Sequence, residues 1–199
     1  QRGRVEFCLR GGLCNTDFID NAAGVDCSDH EVNIKILLNK QVAAGNIDVQ
    51  ERNILLESMT EDVASLVLDN NLRQTKSISL AMARSQQHHS EYQRYLSWLE
   101  QEDQLDRDLE FLPSDEQLTD RINRHQPSWT RPELSVLICY SKVLLKEALA
   151  GSDLLSDPWL ASAVTNYFPK ALVSQFGEAV EAHSLANEIA INQVVNDLV

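Results

Sequence analysis

Cysteine is sparse and falls in no metal-binding pattern. Cys8, Cys14, Cys27 and Cys139 make no C-x-x-C pair and no ligand spacing, which argues against a metal module and for reduced thiols in a cytoplasmic setting. Aromatic residues are 6% of the chain against 43% hydrophobic residues, and no apolar run is long enough to span a membrane. That balance is expected of a soluble, helix-rich domain. Positive charge is also short: 17 Lys and Arg face 30 Asp and Glu, a formal net charge of −13. The bases are scattered among the acids, which excludes a phosphate-binding surface and nucleic acid as a partner. There is no initiator Met ahead of Gln1, no signal-like stretch, and no Gly or Pro stop after the periodic run Ile189, Ile191, Val194, Val195, Leu198 and Val199. The expectation is an internal fragment of a longer protein.

What the chain does have begins near its start. Val5 to Leu9 and Leu13 to Ile19, on either side of Gly11-Gly12, predict two short strands around a turn. Asn21-Ala22-Ala23-Gly24-Val25-Asp26-Cys27-Ser28-Asp29-His30-Glu31 then predicts a polar turn leading into a helix that carries Val32, Ile34, Ile36, Leu37 and Leu38. Ser28 or Asp29 is the natural N-cap, and the free N–H groups of a first helical turn there would favour a ligand carboxylate against Ser28. Plainer roles fit the same residues. Ser28 caps a helix on any fold, Asn21 suits a turn, Gly24 serves as a hinge, and Asp26 and Asp29 complement the helix dipole. His30 falls on the first turn, and Cys27 has no matched base beside it.

From Asp48 onward only helical periodicity is visible, in Val49, Leu55, Leu56 and Met59, then Val63, Leu66 and Val67 after a cap at Thr60, then Ile78, Leu80 and Met82. Gly45-Asn46 marks a turn, and the polar run from Ser85 to Ser90 marks a soft boundary, with a helix resuming over Glu91 to Gln104. The division expected is 1–85 and 86–199. Beyond it, Ser114 with Gln117 and Thr130 with Glu133 read as capping boxes, and Asp157 before Pro158 as a helix start. Phe168-Pro169 breaks the pattern, after which one last helix is expected from about Leu172 to the end. His88-His89 have the wrong spacing for a chelate on one helix. The acidic run Glu100 to Asp108 reads as a solvated helix end or loop, and Trp98, Trp129 and Trp159 as packing residues.

The spacing Asn-Ala-x-Gly-Val-x-x-Ser-x-x-Glu over Asn21 to Glu31 resembles the amino-acid dehydrogenases, glutamate dehydrogenase above all. The longer wording from Gly11 to Lys35 is similar to the large bacterial NAD-specific glutamate dehydrogenases, as are Phe111-Leu112-Pro113-Ser114-Asp115, Thr130-Arg131-Pro132-Glu133-Leu134 and Tyr167-Phe168-Pro169. The resemblance implies a mainly α chain: a small N-terminal β-hairpin remnant of a Rossmann-type domain in 1–85, closing the catalytic domain, and a helical, bundle-like C-terminal domain in 86–199. It implies oxidation of L-glutamate by NAD to 2-oxoglutarate and ammonia in a homo-oligomeric parent. Asn21 and Gly24 would lie on the cofactor side, and Ser28 and Val25 on the substrate side, with Ser28 holding the γ-carboxylate. No catalytic residue and no metal ligand fall within the chain.

The departures limit what the chain does alone. Ala23 stands where the family often has Gly, and Gly11-Gly12 lacks the spacing of a pyrophosphate-cradling turn. No lysine sits in the family's catalytic-lysine motif. The expectation is one wall of an active site without the chemistry. The alternative is a non-catalytic helical interaction or regulatory module, in which the turn is only structural.

Overall fold

The computed structural model describes residues 1–152 and 157–199, without the side chains of Ala22, Pro158, Trp159 and Ala161. Among the described residues there are helices and no strands: α1 (Arg2–Leu9), α2 (Asp17–Asp20), α3 (Ala22–Ala43), α4 (Val49–Ser58), α5 (Thr60–Arg84), α6 (His89–Gln101), α7 (Asp115–Asn123), α8 (Arg131–Leu149), α9 (Pro158–Tyr167), α10 (Lys170–Glu181) and α11 (Ala186–Leu198). No helix is long and apolar enough to cross a membrane among them.

The mainly α expectation holds, and the N-terminal β-hairpin does not. Val5 to Leu9 lies in α1, which buries Val5 and Cys8 three residues apart on one face. A two-stranded hairpin by itself is marginal, whereas a helix closes its own hydrogen bonds. Gly11-Gly12 is a helix stop rather than a hairpin turn. Gly11 sits at φ +88, its N–H donates to the Cys8 carbonyl at 3.0 Å, and the Gly12 N–H donates to the Phe7 carbonyl at 2.9 Å. This is a Schellman motif, which satisfies the last carbonyls of α1. Gly45 at φ +75 ends α3 in the same way, as expected for Gly45-Asn46. Asp103, Phe111 and His125 take the same left-handed position, and the N–H of the next residue reaches back each time.

Three helix boundaries differ from the sequence reading. α3 begins at Ala22, so Ser28 and Asp29 lie inside it and neither is an N-cap. Ala22 and Ala23 are strong helix formers, no proline interrupts 22–43, and one Gly costs only about 1 kcal/mol. Thr60 is the first residue of α5, and its hydroxyl donates backward to the Glu57 carbonyl at 2.9 Å instead of capping. The single helix expected from Leu172 is two, α10 and α11. Between them the His183 ring accepts the Leu185 N–H at 3.1 Å, and α10 itself kinks at Phe176, at φ −132 and ψ 36.

Other starts agree. Ser114 and Gln117 form a full capping box on α7, α9 opens at Pro158, and Pro169 separates α9 from α10. The packing role expected of Trp159 lies outside the described residues.

Two compact units are each assembled from two stretches of chain. One comprises Gln1–Asn21 and Leu72–Ser141. Its buried side chains include Trp129, Leu96, Leu99, Leu118 and Leu134, and Trp129 meets Tyr92 edge-on, while Trp98 is half exposed and stacked on Tyr95. Glu133, fully buried, accepts two hydrogen bonds from Arg121 at 2.8 and 3.0 Å and two from Thr130 at 2.8 Å each. Thr130 thus donates both its N–H and its hydroxyl to Glu133 at the start of α8, and Arg121 supplies the charge that pairs with the buried carboxylate. The acidic run is organised by Arg107, which pairs with Glu100 at 2.5 Å and Asp115 at 2.9 Å.

The other unit comprises Ala22–Asn71 and Lys142–Val199. Its core gathers Ile34, Leu37 and Leu38 of α3 with Met59, Phe168, Leu172 and Ile189. Here α9 packs against α10 and α11, and α3 against α4.

Candidate functional site

Helical spacing sorts the polar segment that opens α3 into two faces. Gly24, Val25 and Ser28 follow one another at the i, i+1 and i+4 positions and lie on one stripe, all exposed, with Val25 70% accessible and Val32 continuing the row at 51%. Asn21, also exposed, is the residue immediately before α3 and the C-cap of α2. Gly24, Val25 and Ser28 therefore share a helix flank rather than a turn, and Asn21 stands outside that helix. The free N–H groups of α3 belong to its start at Ala22, so the helix dipole does not act at Ser28 as the cap reading required.

The opposite face of α3 carries a polar cluster that the sequence reading missed. His30 is 1% exposed and lies parallel to Tyr167 of α9, ring centroids 4.3 Å apart. The Tyr167 hydroxyl donates to Asp29 Oδ2 at 2.7 Å and accepts from Asn33 Nδ2 at 2.9 Å. Burial first, and then the bond to Asp29, push the Tyr167 phenol far above its ordinary value, so it stays a neutral donor. Burial likewise lowers His30, against the opposing pull of Asp26 and Asp29. Asp26 Oδ1 stands 3.8 Å from Nε2, and neither ring nitrogen makes a hydrogen bond. His183 Nε2 meets the Asn33 carbonyl at 3.1 Å, and burial lowers that imidazole too. His30 is thus two turns into the helix and a packing element, not a first-turn residue. The signal that would have found it is the i, i+3, i+4, i+7 series Asp26, Asp29, His30 and Asn33, together with the tyrosine of Tyr167-Phe168-Pro169.

This cluster borders a pocket of about 160 Å³ lined by Asp26, Asp29, Asn33, Asn70, Tyr167 and Glu188 among others. Cavities of about 360 Å³ beside Arg2 and Arg121, and of about 390 Å³ beside His89 and His125, lie in the other unit. None of the three is lined by Asn21, Gly24, Val25 or Ser28. Among the described residues no group of three or more His, Cys, Asp or Glu is arranged to hold a metal ion. Cys27 is exposed on α3, and Glu31 pairs with Lys35 one turn on. His88 pairs with Glu91 at 3.0 Å.

A dinucleotide cradle needs a glycine-rich turn between a strand and a helix. Gly11 and Gly12 instead follow helix α1 and close it, so the residues present do not fit a pyrophosphate.

Comparison with known proteins agrees with the wording of these segments. Residues 1–81 match the family described as bacterial NAD-glutamate dehydrogenase, catalytic domain, and residues 127–199 match glutamate dehydrogenase, C-terminal. Over 199 residues the chain is 53% identical to an NAD-specific glutamate dehydrogenase of Pseudomonas aeruginosa and 49% identical to one of Halomonas elongata. An NAD-specific glutamate dehydrogenase of Mycobacterium tuberculosis is 42% identical over 197 residues. The matches run along all or nearly all of the chain, which spans 12% of the length of each of these relatives. The chain belongs to the bacterial NAD-glutamate dehydrogenase family.

Proposed function

We propose that the protein to which this chain contributes oxidises L-glutamate with NAD to 2-oxoglutarate and ammonia, and that the chain supplies one wall of the site. The observation that carries the reading is the similarity to NAD-specific glutamate dehydrogenases along the whole chain, the Asn21 to Glu31 segment included. In this reading 1–85 closes the catalytic domain, and 86–199 is a helical domain that serves assembly or domain closure in a homo-oligomeric parent. Ser28 binds the substrate γ-carboxylate with Val25 beside it, and Asn21 and Gly24 face the nicotinamide side. The exposure of all four supports this, since their polar and backbone groups are open to a ligand. The buried His30, Tyr167 and Asn33, with Asp29 hydrogen-bonded to Tyr167 at the edge, support it indirectly by fixing how α3 presents its outer stripe. The dinucleotide phosphates are held elsewhere in the protein, because no cradle for them is made by the described residues.

A second reading is a helical interaction module. Val25 and Val32, exposed one above the other on α3, favour it, because such a stripe also suits burial against protein. Ser28→Ala separates the two. A hydrogen bond to a charged group is worth about 1.5–3 kcal/mol, so in the full-length enzyme kcat/KM for glutamate should fall roughly ten- to a hundredfold, with little change in the KM for NAD. Inside a helix, Ala is a better former than Ser by up to about 0.7 kcal/mol, so stability should hold or rise slightly. Unchanged glutamate kinetics in the folded variant would remove Ser28 from the site and favour the module.

A further inference from the structure

We propose that Cys8 and Cys14 are a built thiol–disulfide pair, a modification site closed by an oxidant of the hydroperoxide class. Their Sγ atoms lie 3.6 Å apart, and Cys8 Sγ is the same distance from the Cys14 carbonyl oxygen. The backbone produces this approach. The left-handed Gly11 ends α1 and turns the chain back, so that the segment after Gly12 returns along the last turn of the helix it has just left. Gly12 passes so close that a Cβ there would come within 2.3 Å of the Phe7 ring. Reaching a disulfide length of about 2.05 Å then requires only about 1.5 Å of sulfur movement.

Exposure orders the two steps. Cys8 is buried and Cys14 half-buried, so Cys14 meets the oxidant first; burial also pushes the Cys8 thiol up and keeps it protonated longer. The Cys14 thiolate attacks one peroxide oxygen, the O–O bond breaks, and Cys14 becomes a sulfenic acid as water leaves. Cys8 sulfur then attacks the sulfenyl sulfur, the S–S bond forms, the S–O bond breaks, and the Cys8 proton departs with the hydroxide as a second water. Two thiols and one hydroperoxide give one disulfide and two waters, or one water and one alcohol for an organic peroxide. The bond would fasten the end of α1 next to Asn15. That residue already accepts from Arg131 Nε at 2.9 Å and Arg4 Nη1 at 2.9 Å, and donates to Asp20 Oδ1 at 2.8 Å. Oxidation therefore staples α1 to the hub that holds α2 and the start of α8.

Peptide mapping of the full-length protein tests this. After treatment with hydrogen peroxide, remaining thiols are alkylated and the protein is cut with trypsin without reductant. Cleavage after Arg4, Arg10 and Lys35 places Cys8 on residues 5–10 and Cys14, with Cys27, on residues 11–35. The expected product is one linked species, two hydrogens lighter than the two peptides together, with Cys27 alkylated and the link opened by a dithiol. Cys27→Ser should keep the species and Cys14→Ser should abolish it. Separate alkylation of Cys8 and Cys14, a link through Cys27, or oxidation to sulfinic acid without a link would each overturn the proposal. The unmutated protein alone decides the matter if Cys14→Ser does not fold.

Discussion

His30 shows how a side chain with an ambiguous sequence signal acquires a definite role. Buried against the Tyr167 ring with no hydrogen bond to either nitrogen, it is held neutral, and His183 shares the depressed state. Since both folded values lie below the ordinary 6.5, the unfolded chain takes up protons first as pH falls. Their contribution to stability is whole above that value and is lost progressively below it. Urea unfolding between about pH 7.5 and 5.5, above the main carboxylate range, should therefore show declining stability. His30→Phe keeps an aromatic ring over Tyr167 and removes one of the two protonations. It should leave stability at pH 7.5 within about 1 kcal/mol of the parent and flatten the acid slope. An unchanged slope in the variant would show that His30 does not titrate this way.

At the scale of elements, α4 is decided more by its ends than by its burial. α4 has no fully buried residue; Leu55 and Leu56 only partly cover the core. It is started by a complete capping box in which Glu51 N–H donates to Asp48 Oδ1 and Asp48 N–H donates to Glu51 Oε2, both at 2.8 Å. Asp48→Ala should cost about 1 kcal/mol. With so little burial to compensate, that loss should appear as faster amide hydrogen exchange confined to α4 and its start. Uniform acceleration across α3 and α9 would mean that α4 is held by the core instead of its cap. The Schellman stops at Gly11 and Gly45 are the corresponding C-terminal devices, and they show why a glycine pair cannot be assigned to a hairpin from its identity alone.

At the scale of the whole molecule, the chain carries a family's wording without a complete machine. Hydride transfer needs cofactor, substrate and proton-transfer groups held together. None of the three cavities described is lined by Asn21, Gly24, Val25 or Ser28, and the described residues form no pyrophosphate cradle. The isolated 199-residue chain should form NADH from glutamate and NAD no faster than a buffer blank. Turnover by the purified chain would overturn the view that it supplies only a wall.

The sequence by itself determined the family, the predominance of helix after Asp48, the turn at Gly45, and the helix starts at Ser114 and Pro158. These are local matters: a cap, a proline or a three-to-four residue repeat acts over one or two turns, and its free energy does not wait for distant partners. Tertiary structure decided whether the first 30 residues are strand or helix, because a short strand is stable only with a neighbour to pair, and the described chain offers none. Ser28 is an exposed flank residue for a local reason, because helix propensity carries α3 back to Ala22. The break at His183, the stack of His30 on Tyr167 and the neutralisation of Glu133 by Arg121 join residues 12 to 150 positions apart. Such contacts follow from which surfaces meet when helices pack; a local series such as Asp26, Asp29, His30 and Asn33 marks a face but does not encode its partner.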